Sequence, residues 1–260
     1  MPSKTLRRRR TSARPHVRTL ALVVTIDGPA GAGKSTVAKR LAKALGISYL
    51  DTGATYRALA FAVLQEHPEV LADEAKLALT ARFLPLQLKA QGANGTLRVL
   101  LAGVDISREI RSQEISEAAA QVSQYPAVRE AMVAHQRTLA GTQGVVVEGR
   151  DTGSVVFPDA PHKFYLDADL TTRAERRRQE LLKLYGEPTP LAQIREELHF
   201  RDAIDASRPV GRLIKPRGAL VIDTTHLSAQ QVVLRMLQHI QAHPASPGRP
   251  RGGAHRPVRS

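Results

Sequence analysis

Apolar residues in this 260-residue chain gather into short runs, separated by longer stretches where they recur at helical spacing. The runs at Val23–Asp27, 47–50, 144–147, 163–166 and 219–222 are apolar nearly throughout. That is the signature of strands buried on both faces, as in a parallel sheet. Helices are predicted from Lys34 to near Gly46, a C-terminal cap glycine, and over 54–65, where His67-Pro68 breaks the pattern. Further helices are predicted over 112–124 and 126–140, with Pro126 at a first helical position. Thr172-Arg173-Ala174-Glu175 has capping-box spacing and opens an arginine-rich helix, followed by helices over 191–206 and 228–242. Alternating strands and helices predict an α/β fold, a five-stranded parallel sheet flanked by helices. One segment breaks the alternation. Leu84, Leu86 and Leu88 alternate, as do Leu97, Val99 and Leu101, and Asn94-Gly95 between them is a hairpin turn, so an antiparallel piece is inserted there.

The first strand runs straight into Gly28-Pro29-Ala30-Gly31-Ala32-Gly33-Lys34-Ser35-Thr36, and a helix follows at once. This order is what a phosphate-binding loop needs. Glycines let successive backbone N–H groups curl around phosphate oxygens, the helix N-terminus adds partial positive charge, and Lys34 adds a full one. Ser35 is placed to ligate Mg²⁺ carried by the same nucleotide. The expected fold is that of a P-loop NTPase, and the expected donor is a nucleoside triphosphate.

Composition narrows the acceptor side. With no Cys, disulfides, thiolate metal sites and thiol nucleophiles are excluded. Aromatic residues make up 4% and Trp is absent, which disfavours stacking platforms for single-stranded nucleic acid. The formal charge of +14 sits mostly in the ends: +7 within residues 1–20 and +4 within 241–260, leaving +3 for the rest. Residues 1–20 read as a disordered basic arm and 243–260 as a disordered Pro/Gly/Arg tail, with the folded domain at 21–242. No apolar run reaches the length of a membrane span, and cleavage after the run at 20–26 would destroy the phosphate loop, so a cytoplasmic protein is expected.

Acids recur where the strands end: Asp27, Asp51, Glu148-Gly149-Arg150-Asp151, Asp167 and Asp223. Ligands of open parallel sheets sit at that edge, so these residues are expected to line a crevice. Glu148 is placed to orient Mg²⁺ through water. Arg173, Arg176 and Arg177 follow i, i+3, i+4 spacing, and Arg201, Asp205 and Arg208 follow i, i+4, i+7, putting each set on one helix face. Transfer of a γ-phosphoryl group needs charge neutralised on several oxygens, which planar guanidiniums match. No His or Ser is poised as a general base. A phosphate-monoester acceptor needs none, because its second pKa near ~6 leaves it largely dianionic at neutral pH.

The phosphate loop, Asp51-Thr52-Gly53-Ala54-Thr55-Tyr56-Arg57, Glu148-Gly149-Arg150-Asp151-Thr152-Gly153, the Val155-to-Pro161 segment and Arg201-x-x-x-Asp205-x-x-Arg208 occur in one order. In this the chain resembles the bacterial cytidylate kinases, from about Thr25 to Gln238. The resemblance implies transfer of the ATP γ-phosphoryl group to CMP or dCMP. It implies a monophosphate-binding insert at about 53–140 and a lid at about 168–190. It further implies that Arg57 and Arg150 hold the acceptor phosphate, Arg129 and Asp151 read the cytosine edge, and Arg201 and Asp205 contact the sugar with Arg208 nearby. Arg173, Arg176 and Arg177 would then close over the ATP phosphates. The chain departs from the pattern at Ala120, where some relatives carry a base-contacting Ser, at Thr52 for Ser, at Glu148 for Asp, and at Arg212-Leu213-Ile214. A monomer with no obligatory nucleic-acid partner is expected. The alternatives are a kinase of another monophosphate or of a small alcohol, and a nucleic-acid-binding P-loop NTPase using its basic ends.

Overall fold

The computed structural model describes residues 22–91, 96–186 and 188–244. The chain starts with β1 (Val23–Asp27), the phosphate loop, α1 (Lys34–Leu45), β2 (Ser48–Asp51) and α2 (Thr52–Glu66). Next come α3 (Glu74–Arg82), β3 (Leu86–Gln91), β4 (Thr96–Leu101) and β5 (Val104–Asp105). Two helices follow, α4 (Gln113–Val122) and α5 (Pro126–Ala140). The chain then returns to the main sheet with β6 (Val145–Gly149) and β7 (His162–Asp167). It ends with α6 (Leu170–Tyr185), α7 (Leu191–Ser207), β8 (Leu220–Asp223) and α8 (Ala229–Ala242).

The sheet is parallel throughout its five strands, in the order β2-β6-β1-β7-β8. The chain therefore crosses to both sides of β1, and the loop after β1 emerges at the point where the strand order reverses. Register brings the chemistry together: Ile26 lies opposite Glu148, Asp27 opposite Gly149, and Asp51 opposite Glu148. Ile26, Leu41, Phe164 and Met236 form a core between the sheet, α1 and α8. A second core joins Leu59, Leu77, Val122 and Met132, from α2, α3, α4 and α5, to Leu86 and Val99 of the antiparallel sheet β3-β4-β5.

The periodicity placed the strands and most helices within about two residues. Gly46 takes up the left-handed conformation at φ 65° and closes α1. Two readings are corrected and one helix is added. The arginine-rich helix starts at Leu170, because the Asp169 carboxylate accepts from the Thr172 backbone N–H at 2.8 Å and from its hydroxyl at 2.6 Å. Thr172 is thus inside the first turn and caps nothing. Helix α3 was not anticipated; Asp73 caps it, and it buries only Leu77 and Ala81, too few apolar positions to show a stripe. Arg208 lies just past the end of α7 with φ −51° and ψ 141°, so it does not extend the helix face of Arg201 and Asp205. The Asn94-Gly95 turn and the basic ends at 1–21 and 245–260 lie outside the described residues.

Candidate active site

A cavity of about 780 Å³ opens over the C-terminal edge of the sheet, and one wall of it is the phosphate loop. The loop is shaped by glycine: Gly28, Gly31 and Gly33 have φ of 145°, 78° and 87°. A Cβ at Gly28 would sit 2.0 Å from the Leu166 carbonyl oxygen, and one at Gly31 would sit 2.8 Å from that of Arg173. No side chain fits in either place. Gly31, Ala32, Gly33, Lys34, Ser35 and Thr36 face the cavity. Gly28, Pro29 and Ala30 lie behind them: the Lys34 Nζ donates to the Pro29 carbonyl at 2.6 Å, and Arg173 donates to that of Ala30 at 3.2 Å. Burial, with the nearby Arg150 charge, lowers the Lys34 ammonium to about 7.

Opposite Lys34 stands Glu148, at the end of β6. Its carboxylate accepts from the Tyr49 hydroxyl, and its backbone carbonyl accepts from the Thr52 hydroxyl at 2.8 Å. Burial, reinforced by Asp51, raises the Glu148 carboxyl, while Lys34 opposes the shift. Tyr49 was not singled out from the sequence. The period of two along β2 puts it on the same side as Asp51, which was the available signal.

The other wall carries five arginines that line the cavity, Arg57, Arg129, Arg150, Arg201 and Arg208. Four of them are ion-paired. Arg57 donates to Asp51 at 2.9 Å, Arg150 to Asp205 at 2.7 Å and Arg208 to Asp205 at 2.5 Å, while Arg129 pairs with Asp151. Burial works to raise the Asp205 carboxyl, but Arg150 and Arg208 hold it below its usual range. Arg201 makes no ion pair among the described residues, and burial beside Arg150 lowers it to about 10. The Nε–H groups of Arg57, Arg129, Arg201 and Arg208 are buried without a hydrogen-bond partner among the described residues.

Not every strand-end acid reaches the cavity. Asp51, Glu148 and Asp151 line it, whereas Asp27, Asp167 and Asp223 do not. Asp27 is fully buried and acts as a latch: it accepts from the Thr152 N–H at 2.7 Å, the Thr152 hydroxyl at 2.8 Å and the Gly153 N–H at 2.8 Å. It therefore fixes the turn that carries Arg150 and Asp151. Asp167 and Asp223 are exposed and accept from the backbone N–H of Ala168 and Thr225 respectively. The three arginines of α6 also divide. Arg176 and Arg177 line the cavity, Arg176 bonding to Thr224 and Arg177 pairing with Glu180 at 2.9 Å. Arg173 does not line it; its guanidinium pairs with Asp202 at 2.6 Å and braces the phosphate loop through Ala30. The spacing put the three on one face, but burial of Arg173 between α7 and the loop separates it from the other two.

Two residues support this wall unannounced by any motif. Gly211, at φ 69°, packs its backbone so closely on Arg129 that a Cβ there would meet the guanidinium at 2.1 Å. Ser123 accepts from Arg129 at its carbonyl, at 3.1 Å, and from Arg208 at its hydroxyl, at 3.0 Å.

Residues 24–242 match the profile of the family described as Cytidylate kinase. The chain is 46% identical over 222 residues to a cytidylate kinase of Caldanaerobacter subterraneus subsp. tengcongensis, a match covering 85% of this chain and 96% of the relative. It is 44% identical over 217 residues to one from Klebsiella pneumoniae, covering 84% and 94%. Among solved structures, the shikimate kinase from Acinetobacter baumannii in complex with shikimate aligns over 88% of this chain and 97% of its own, with a TM-score of 0.41 and 17% identity.

Proposed function

The chain belongs to the cytidylate kinase family, and we propose from that premise how the two walls of its cavity divide the work. The enzyme transfers the γ-phosphoryl group of ATP to CMP or dCMP, giving ADP and CDP or dCDP. In our reading the backbone N–H groups of 31–36 and the Lys34 ammonium hold the ATP β- and γ-phosphates, Gly28, Pro29 and Ala30 shaping the loop behind them, with Arg176 and Arg177 closing over the phosphates from α6. Arg173 acts one step back, keeping the loop against α7.

On the facing wall, Arg57 and Arg150 take the acceptor phosphate, Arg129 and Asp151 the base, and Arg201 with Asp205 the sugar, Arg208 standing beside them. The observation that carries this reading is a charge count. Five guanidiniums outnumber the three carboxylates Asp51, Asp151 and Asp205, and Arg111 and Lys39 line the same cavity, so the wall carries an excess of positive charge suited to a phosphate monoester that is nearly dianionic at neutral pH. A carboxylate at Asp151 accepts from the cytosine amino group and repels the carbonyl that uracil has in its place.

The oxygen donors near Lys34 fit Mg²⁺. The exposed Ser35 hydroxyl and the Glu148 carboxylate are hard ligands, suited to an ion that keeps waters and substrate phosphates in its shell. Among the described residues no group of three or more His, Cys, Asp or Glu is arranged to hold a metal. When bound, Mg²⁺ neutralises charge developing between the β- and γ-phosphoryl oxygens. Ser35 would ligate it directly and Glu148 through water. The protein's own contribution is alignment: the acceptor phosphate is already ionised, so the residues hold two anions in line and exclude water.

A panel of nucleoside monophosphates and small alcohols in a coupled ADP-release assay tests the reading. CMP and dCMP should be turned over far faster than UMP, AMP or any alcohol. Faster turnover of a non-phosphorylated alcohol would overturn it.

A further inference from the structure

Cytosine's exocyclic amino group has two N–H bonds, and a carboxylate oxygen at Asp151 satisfies one of them. A second acceptor is needed for full satisfaction, since a buried N–H left unpaired weakens binding. Ala120 lines the cavity with a methyl group and supplies none. Ser123, one helical turn further on, also lines the cavity and is 4% exposed.

The bonding of Ser123 defines what its hydroxyl can still do. A serine hydroxyl has one proton and two lone pairs. The proton goes to the Ala120 carbonyl at 2.9 Å, and one lone pair accepts from Arg208 at 3.0 Å. One lone pair remains, so any further hydrogen bond the group makes is as an acceptor. The Ser123 backbone is tied to Asp151 through a shared neighbour: a single guanidinium, that of Arg129, bonds to the Ser123 carbonyl with one nitrogen and to Asp151 with another.

We propose that Ser123 is a specificity-determining residue, its hydroxyl accepting the second N–H of the cytosine amino group beside Asp151. The proposal rests on the assignment of Asp151 to the base. Uracil turns a carbonyl oxygen towards the same place and meets two acceptors. The hydroxyl cannot reverse its role cheaply, because turning the proton inward leaves the Ala120 carbonyl without it.

The test compares kcat/KM for CMP and for UMP in the full chain and in Ser123→Ala, Ser123→Thr and Asp151→Asn, with the ATP KM as a check on folding. Ser123→Ala should lower the CMP value about 5- to 10-fold, the effect of one hydrogen bond, and leave UMP unchanged or improved. Ser123→Thr, which keeps the hydroxyl, should hold the CMP/UMP ratio near that of the parent. An equal loss for both acceptors would mean that Ser123 only props up Arg208, and would overturn the proposal. So would an unchanged ratio in Ser123→Ala. If Asp151→Asn also leaves the ratio unchanged, the base-pocket assignment itself falls; if it collapses the ratio while Ser123→Ala does not, only the role of Ser123 falls.

Discussion

The two walls of the cavity are built from different materials. The wall proposed to hold ATP is largely backbone: the loop 28–36, of which 31–36 face the cavity, with three glycines at positive φ and a helix N-terminus. The wall proposed to hold the acceptor is side chain, assembled from α2, α5, the β6 end, α7 and the residue after it, and held by ion pairs. A backbone cradle recognises what every nucleoside triphosphate shares, since N–H groups read phosphate and nothing beyond it. Directional side chains in buried pairs can tell one base from another. Damage to the first wall should therefore cost turnover with every acceptor alike, and damage to the second should cost it selectively.

The largest effect is expected at the loop. Gly31→Ala forces a side chain against Arg173 at a φ that disfavours one, so kcat/KM should fall on the order of 1000-fold with CMP and dCMP equally. Steady-state kinetics with both acceptors check this, and a loss confined to one would blur the distinction between the walls. A smaller, selective effect is expected for Gly211→Ala. Its Cβ displaces the Arg129 guanidinium from Asp151, so the CMP KM should rise about 10-fold while the ATP KM stays put. No loss of turnover is involved in the last expectation, which concerns the latch joining the two walls. Burial raises Asp27 to about 6 from an ordinary 3.8, although its three hydrogen bonds pull the other way. Its contribution to stability is therefore fully present below pH 3.8 and is lost as pH rises through 6, by up to about 3 kcal/mol. Denaturant unfolding from pH 4 to 7 should show that slope in the parent and lose it in Asp27→Asn.

What was legible in the sequence follows the same division. The phosphate loop could be read because its parts are consecutive: a strand, three glycines, Lys34 and a helix determine one another locally. The five strands could be read because burial on both faces leaves unbroken apolar runs. The charged residues of the acceptor wall were found as types, through their family motifs, but their pairing was not. That Arg129 meets Asp151, or that Asp205 serves both Arg150 and Arg208, depends on how α5, α7 and the β6 end pack. Asp27 looked like another strand-end acid until its hydrogen bonds to Thr152 and Gly153 revealed a latch. Tyr49, Ser123 and Gly211 carry no motif, and their roles exist only through partners 82 to 99 residues away.

The central claim, that the acceptor wall carries specificity independently of the ATP wall, is tested most directly by Asp151→Asn. ATP affinity by calorimetry and CMP kinetics should be measured on the same preparation. The account predicts an ATP Kd within about 2-fold of the parent and a CMP kcat/KM lower by about 100-fold, as for a charged hydrogen bond lost in a buried site. Unchanged CMP kinetics, or a parallel loss of ATP binding, would contradict it.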